Sequence, residues 1–203
     1  TTDNGSSYST GAYAPTASRG LVACILAAAT DHHLTPTVTG NGVTWGLEDA
    51  AARGAHAMWV FTAYSGTTPT TTGLTVEINP ADPAIGILIW VGELGNVDPP
   101  TESFFVQSAH GAFDAGETPV VSYAATTAAT SAVIGFLGAA LNPPDQTQPA
   151  SWTEACDTGI TNPTVGISVA YRTDPGAISS VTWGSTPAAV STLTIMEIAV
   201  SAA

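Results

Sequence analysis

The apolar run LVACILAAA, from Leu21 to Ala29, is long enough for a β-strand and far too short for a membrane-spanning helix. Alternate residues of a strand point to opposite faces, and both sets of residues in this run are apolar. The sequence therefore predicts a strand that is buried on both faces. The run AIGILIWV, from Ala84 to Val91, has the same character and predicts a second such strand.

Alternation with a period of two residues continues along most of the chain, and helical periodicity is scarce. Asn41-Gly42 is a strong hairpin signal, which predicts pairing between the strands on either side of it. Residues 48–53 (EDAAAR) favour a single helical turn. The further strands are predicted at residues 35–40, 43–47, 55–64, 74–78, 103–109, 119–124, 131–139, 165–171, 180–183 and 192–200.

These patterns predict an all-β protein, a single β-sandwich of jelly-roll type with about 11–12 strands. Residues 1–7 are polar and lack aromatic anchors, so we expect a flexible N-terminal segment there. Residues 8–203 are expected to form one sandwich domain, because all-β domains often reach this length. No basic region followed by an apolar stretch opens the chain, so no signal peptide is expected.

The charge balance excludes several classes of function. The chain has no lysine, 3 arginines, 16 acidic residues and a formal net charge of −13. Binding to nucleic acid or to an anionic membrane requires many cationic side chains, so neither partner is expected. Charged residues make up only 9% of the chain, which leaves a weakly charged surface suited to packing against other proteins. Arg19, Arg53 and Arg172 are then candidate interface anchors.

Two groups of residues resemble parts of catalytic or metal sites. Asp31-His32-His33 resembles a metal-binding cluster, but neighbouring strand residues point apart, and a polar loop explains the group better. His110 with Asp114 resembles half of a catalytic dyad, yet the chain has no G-x-S-x-G nucleophile motif and Gly111 favours a turn there. We therefore predict no catalytic residue, no metal, no cofactor and no enzymatic activity.

Three glutamates lie in otherwise apolar alternating segments, namely Glu77, Glu93 and Glu197. Paired carboxylates on a sandwich face would suit a glycosidase, in which burial raises the pKa of the acid. A strand-end position in water, or an ion pair with Arg172, explains the same residues. The cysteines Cys24 and Cys156 leave both a disulfide and two free thiols open.

Five tryptophans raise the possibility of a carbohydrate-binding surface. Trp59 and Trp90 lie among apolar residues in the middle of predicted strands, so we expect them in the core. Trp45, Trp152 and Trp183 lie near predicted strand ends and are the candidates for an exposed platform that stacks on sugar rings.

The order of turns and core positions resembles one group of known proteins. Residues 7–45 read SYSTGAYAPTASRGLVACILAAATDHHLTPTVTGNGVTW, with a strand entry, a short loop and the segment PTVTGNGVTW, and the chain ends in VTWGSTPAAVSTLTIMEI from Val181. This order is similar to single-domain β-sandwich virion proteins of tailed phages. The resemblance implies a capsid decoration protein or a tail or fibre component, located in the virion and without a catalytic motif.

The sequence thus favours a structural virion protein that acts through protein–protein packing. Its expected partners are other capsid or tail proteins and further copies of itself. One alternative is a lectin-like module that recognises host or cell-surface glycans through Trp45, Trp152 and Trp183. A weaker alternative is a jelly-roll glycosidase that uses Glu93 and Glu197.

Overall fold

A computed structural model describes residues 5–28, 34–79, 84–97, 104–141, 146–173 and 176–200. Within these ranges the protein is all-β, and no helix is present that could cross a membrane. The strands are β1 (Ser7–Ser9), β2 (Gly20–Ala28), β3 (Thr37–Thr39), β4 (Gly46–Arg53), β5 (His56–Tyr64), β6 (Thr75–Glu77), β7 (Gly86–Leu94), β8 (Phe105–Phe113), β9 (Val120–Ser122), β10 (Ala132–Ala139), β11 (Thr153–Thr161), β12 (Thr164–Arg172), β13 (Ser180–Thr182) and β14 (Ser191–Ile198).

Two large antiparallel sheets form the centre of the molecule. Sheet I has the strand order β4-β5-β2-β7, and sheet II has the order β11-β12-β10-β14-β8. Two small sheets, which we name cap I (β1-β6-β3) and cap II (β13-β9), complete the structure. Ile25 of β2 shows the central register of sheet I, since it lies opposite Trp59 of β5 on one side and Ile89 of β7 on the other.

Three apolar clusters separate the sheets and give the molecule four layers. The first cluster joins cap I to sheet I and includes Leu21 and Val76. The second lies between the two large sheets and includes Leu26 and Phe136, and the third joins sheet II to cap II. Every residue of β2 is buried, because alternate residues of the strand belong to the first and second clusters. The predicted burial of this strand on both faces is confirmed.

Each large sheet draws its strands from one half of the chain. Sheet I and cap I come from β1 to β7, and sheet II and cap II come from β8 to β14. The all-β sandwich prediction is confirmed. The finer prediction of a jelly roll is not confirmed, because strands do not alternate between the large sheets as the chain proceeds.

The two halves repeat one strand arrangement. The order β4-β5-β2-β7 in sheet I corresponds to β11-β12-β10-β14 in sheet II, and the cap pair β1–β6 corresponds to β9–β13. Trp45 and Trp152 directly precede the corresponding strands β4 and β11. Both strands also contain a register shift two residues after the tryptophan, at Leu47/Asp49 and at Glu154/Cys156. Strand β8 has no counterpart beside β7 among the described residues.

Several local predictions are corrected by the pairing of strands. Residues 48–53, expected as a helical turn, belong to β4, because pairing with β5 overrides the helix preference of alanine. Asn41-Gly42 does form a turn, with positive φ angles of 57° and 69°, but β3 pairs with β6 and not with the following strand. Gly111 lies within β8 and not in a turn.

The N-terminal and loop predictions fall partly outside the described ranges. Gly5 forms a bridge with Ala84, and Ser7 begins β1, so residues 5–7 pair with the rest of the fold; the flexibility of the N-terminal segment stays a prediction. Residues 1–4 and the Asp31-His32-His33 group lie outside the described residues.

Candidate functional site

One lateral side of the sandwich, which we name the closed side, is sealed by β4 of sheet I against β8 of sheet II. Asp49 Oδ1 lies 2.6 Å from His110 Nδ1, and Arg53 forms an ion pair with Asp114. The main-chain N of Asp114 donates a hydrogen bond of 2.7 Å to Glu117. Strand β8 thereby covers the flank of sheet I on this side.

The opposite lateral side, which we name the open side, is where β7 ends sheet I and β11 ends sheet II. A groove of about 440 Å³ lies there between the large sheets. Its wall includes Trp90 and Leu94 of β7, Ala155 of β11 and Tyr171 of β12, with Glu93 at the rim. The groove is mainly apolar, and Tyr171 is 38% exposed, so apolar surface is accessible on this side.

Trp90 is one of the aromatic residues that line this groove. Its ring lies 5.6 Å from that of Phe136 at an interplanar angle of 64°, an edge-to-face contact across the two large sheets. The indole also covers Gly92, where a side chain would collide with it. Trp90, expected in the core, is therefore a partly buried side chain that packs against the core cluster between the two large sheets and also lines the groove.

A second groove, of about 330 Å³, lies on the other face of β7, beneath cap I. Its wall includes Tyr13, Ile89 and Val91, and Glu93 contributes to its rim as well. Burial, followed by the nearby Glu93 carboxylate, raises the pKa of the Tyr13 hydroxyl. Strand β7 is thus flanked by a groove on each face.

The three tryptophans predicted as a glycan platform are mostly packed inside the protein. Trp45 is 9% exposed and Trp183 is 1% exposed, so the expectation that their strand-end positions expose them is wrong. Trp152 is partly buried and packs with Trp183 over Gly135. The residues missed by sequence reasoning are Trp90 and Tyr171, which line the open-side groove.

The three arginines lie at separate places and do not form one surface. Arg53 belongs to the closed side, where its guanidinium pairs with Asp114 within the chain. The Arg19 guanidinium packs over Gly95, near the end of the open-side groove. Arg172 is partly buried at the end of β12. Their role as interface anchors stays a prediction, with Arg53 already engaged in an internal ion pair.

The predicted half-dyad is rearranged. His110 pairs with Asp49 across the closed side, and Asp114 pairs with Arg53. Ser108, two residues before His110 on β8, donates its hydroxyl to the carbonyl of Glu48 at 3.5 Å. No residue that could act as a nucleophile hydrogen-bonds to His110 within the described ranges, so the arrangement resembles a lateral clamp between two strands.

Glu197 is a buried structural carboxylate. It is 2% exposed, and it accepts hydrogen bonds from Ser131 Oγ at 2.6 Å, the Ala128 main chain at 2.7 Å and Gln107 Nε2 at 2.6 Å. Burial, followed by the Glu197 charge, raises the pKa of Tyr123 nearby. Glu197 is therefore fully occupied and shielded from any substrate.

The other two glutamates are exposed, as a strand-end or surface position predicts. Glu93 accepts a hydrogen bond from the Thr16 main chain at 3.0 Å, and Glu77 accepts one from Ser7 Oγ at 2.6 Å. In the predicted glycosidase pair, Glu93 is exposed and Glu197 is buried, so the two do not provide the paired accessible acids that glycoside hydrolysis requires.

The cysteines are both free, which resolves the open question of a disulfide. Burial raises the pKa of Cys24 well above its usual value. The pKa of Cys156 is raised by partial burial, followed by the nearby Asp157 and Glu154 carboxylates. Both thiols are therefore poor nucleophiles at neutral pH. Among the described residues, no group of histidine, cysteine and acidic side chains is arranged to hold a metal ion.

His56 is a buried histidine between the two halves. It is 2% exposed, and neither of its ring nitrogens has a hydrogen-bond partner among the described residues. It contributes to the wall of a cavity of about 160 Å³, together with Ala28, Ile85 and Val165. Burial lowers its pKa from 6.5 to about 4, because an imidazolium would lose its hydration there.

Comparison with known proteins adds no relative from which a role could be transferred. No protein-family model, curated protein or solved structure matches the chain. The open side, with its two grooves around β7, is therefore the candidate functional site on physical grounds alone.

Proposed function

We propose that this protein is a structural subunit that acts by packing against other proteins, as a capsid decoration or tail component of a virion. The observation that carries the proposal is the open side, where an apolar groove of about 440 Å³ adjoins β7, the strand that ends sheet I among the described residues. Sites of this kind suit protein partners, because burying apolar surface and pairing main-chain groups both favour association.

The surface composition supports the same role. With 9% charged residues, the chain lacks the dense charge that usually keeps a monomer soluble. Large apolar side chains are also exposed at Leu34, Leu47, Val106, Val120 and Tyr171. A surface with little charge and no lysine loses little solvation and side-chain entropy when a partner covers it.

The virion assignment is tested by asking whether the protein travels with particles. Phage particles from the source culture are banded in a density gradient and analysed by quantitative mass spectrometry. We expect the protein in the particle band at a constant ratio to the major capsid protein. Its recovery only in the soluble fraction, with none in the particles, would contradict the proposal.

A second candidate function, glycan binding, is favoured by the groove lined by Trp90 and Tyr171. Aromatic rings beside polar groups such as Glu93 can stack on a sugar and orient its hydroxyls. This candidate is tested on a glycan array with the wild type, Tyr171→Ala and the control Val120→Ala. Binding that is lost only in Tyr171→Ala would support it, and an array without saturable binding would exclude it.

A further inference from the structure

Strand β7 has an edge that lacks the usual protection against pairing. It pairs with β2 without a register shift, and no strand lies beyond residues 88–94 among those described. This segment, LIWVGEL, contains neither lysine nor proline, and Glu93 is its one charge. Natural edge strands are usually blunted by bulges, prolines or charges that prevent another strand from adding. The outer strand of sheet II, β11, has both a register shift and acidic residues.

The other half of the chain shows what occupies the equivalent position. In sheet II, β14 corresponds to β7, and β8 runs antiparallel along it from Ser191 to Ile198. Strand β8 also closes the lateral side of the sandwich by contacting β4. Because β11 corresponds to β4, one strand added to β7 would lie beside β11 and close the open side in the same way.

The two grooves have the positions that such a strand would require. Side chains of a strand alternate between faces, so an added strand would direct one set into the 440 Å³ groove beside Trp90 and Leu94. The other set would enter the 330 Å³ groove beside Ile89 and Val91. One added strand would fill both grooves, and its side chains would be mainly apolar on both faces.

Glu93 indicates which kind of side chain an added strand should carry next to it. It is the penultimate residue of β7, as Glu197 is of β14. Glu197 accepts a hydrogen bond from Gln107, its partner on the adjacent strand β8. Glu93 remains exposed, and Glu154 on the neighbouring strand β11 is exposed too. A lysine, arginine or amide side chain on the added strand would therefore meet an available carboxylate.

We propose that residues 88–94 accept one extended, antiparallel strand from a neighbouring protein subunit, apolar on both faces and carrying a cationic or amide side chain opposite Glu93. Main-chain hydrogen bonds would supply affinity, and the two grooves would select the side chains. The identity of the donor as a neighbouring subunit rests on the proposed structural role. The strand-accepting edge rests on the strand order of the two halves and does not depend on that role.

The test uses a peptide based on β8 and its preceding residue, in which valine replaces the residues corresponding to Ser108 and His110 so that both faces are apolar around Gln107. Its sequence is FFVQVAVGAF, flanked by two lysines at each end. Amide hydrogen exchange is followed by NMR in the isotope-labelled full chain as this peptide is added. We expect exchange at alternate amides within residues 88–94 to slow at least about tenfold at saturation. A peptide of the same composition in scrambled order serves as the control and should leave exchange unchanged.

A matched pair of variants locates the binding site. Val91→Lys places a charge at the edge and should weaken peptide binding at least about tenfold. Val120→Lys makes the same change at an exposed side chain of β9 and should have no effect on peptide binding. If Val91→Lys fails to fold by circular dichroism, Leu94→Lys at the end of β7 replaces it.

Several results would overturn the proposal. The first is unchanged exchange at residues 88–94 with about 1 mM peptide in the folded protein. The second is protection of β4 or β11 in place of β7. The third is protection of residues 88–94 in the monomer before any peptide is added, because an internal segment would then occupy the edge. Absence from virions combined with peptide binding would reject the virion role alone.

Discussion

Replacing His56 with leucine should remove part of the loss of stability that this protein undergoes in acid. The imidazole is buried between the two halves, and within the described part of the chain neither ring nitrogen has a hydrogen-bond partner. The cavity beside it is lined mainly by apolar residues, including Ile85 and Val165. The nearest charged group in the strand pairing is Arg53, opposite His56, which would also oppose a second positive charge. Folding therefore holds His56 in its neutral form.

The magnitude follows from the pKa of His56, which is about 4 when folded against 6.5 for the unperturbed side chain. Because the folded pKa is lowered, the unfolded state binds more protons below pH 6.5, and stability falls as the pH falls from 6.5 towards 4. Each pKa unit corresponds to 1.36 kcal/mol, so the full contribution is about 3 kcal/mol, with about 2 kcal/mol lost by pH 5. Above pH 7, His56 is neutral in both the folded and the unfolded state, and its full contribution to the free energy of unfolding is present.

The assay is urea unfolding followed by tryptophan fluorescence at half-unit steps from pH 7.5 to pH 4.5. The difference in unfolding free energy between wild type and His56→Leu at pH 7.5 reports the packing change alone. We expect that difference to shift by about 2 kcal/mol in favour of the variant at pH 5. His110→Leu controls for the other described histidine. Two results would refute this account. One is a difference in unfolding free energy between wild type and His56→Leu that does not change with pH. The other is a smaller loss of stability in acid for His110→Leu and not for His56→Leu.

Three further predictions concern single residues and use the same urea assay. Glu197→Leu removes the acceptor for three hydrogen bonds and should cost about 3–5 kcal/mol, with faster proteolysis near Ala128; equal cleavage rates would contradict this. Gly66→Ala should cost about 1–2 kcal/mol, because the residue has a positive φ. Gly40→Ala should cost more, because Gly40 also has a positive φ and its added Cβ would lie 2.4 Å from a backbone oxygen. Arg53→Ala should leave the urea midpoint unchanged within error, since its ion pair with Asp114 is exposed; a clear decrease would show that the clamp is structural.

The strand pattern was predictable where apolar periodicity is strong. Strands β2, β5, β10 and β14 were predicted close to their observed positions because each alternates or runs apolar without interruption. Strand β11 was missed because its residues are mostly polar and exposed. Its pairing with β12 therefore leaves no apolar alternation in the sequence of β11 itself. Strand β4 was assigned as a helical turn because alanine preference is local and the pairing with β5 is not.

The arrangement of the sheets and the candidate site depended on distant contacts. Asp49 and His110 are 61 residues apart, and their pairing follows only from the stacking of β4 on β8. The open-side groove was missed because Trp90 looks like a core residue in sequence, and β7 gives no local sign that it ends a sheet. The one sequence signal that could have indicated the repeat is the tryptophan before each bulged strand, at Trp45 and Trp152.

The two lateral sides differ in whether cationic side chains of the same chain pair with their acidic residues. On the closed side, the acids Asp49 and Asp114 are matched by His110 and Arg53 from the same chain. On the open side, neither Glu93 nor Glu154 forms an ion pair with any described residue. A chain without lysine has few means of neutralising these carboxylates itself, and a lateral side closed by a partner does not need to. If β7 accepts a strand as proposed, one partner would supply both the cation and the strand that this side lacks among the described residues.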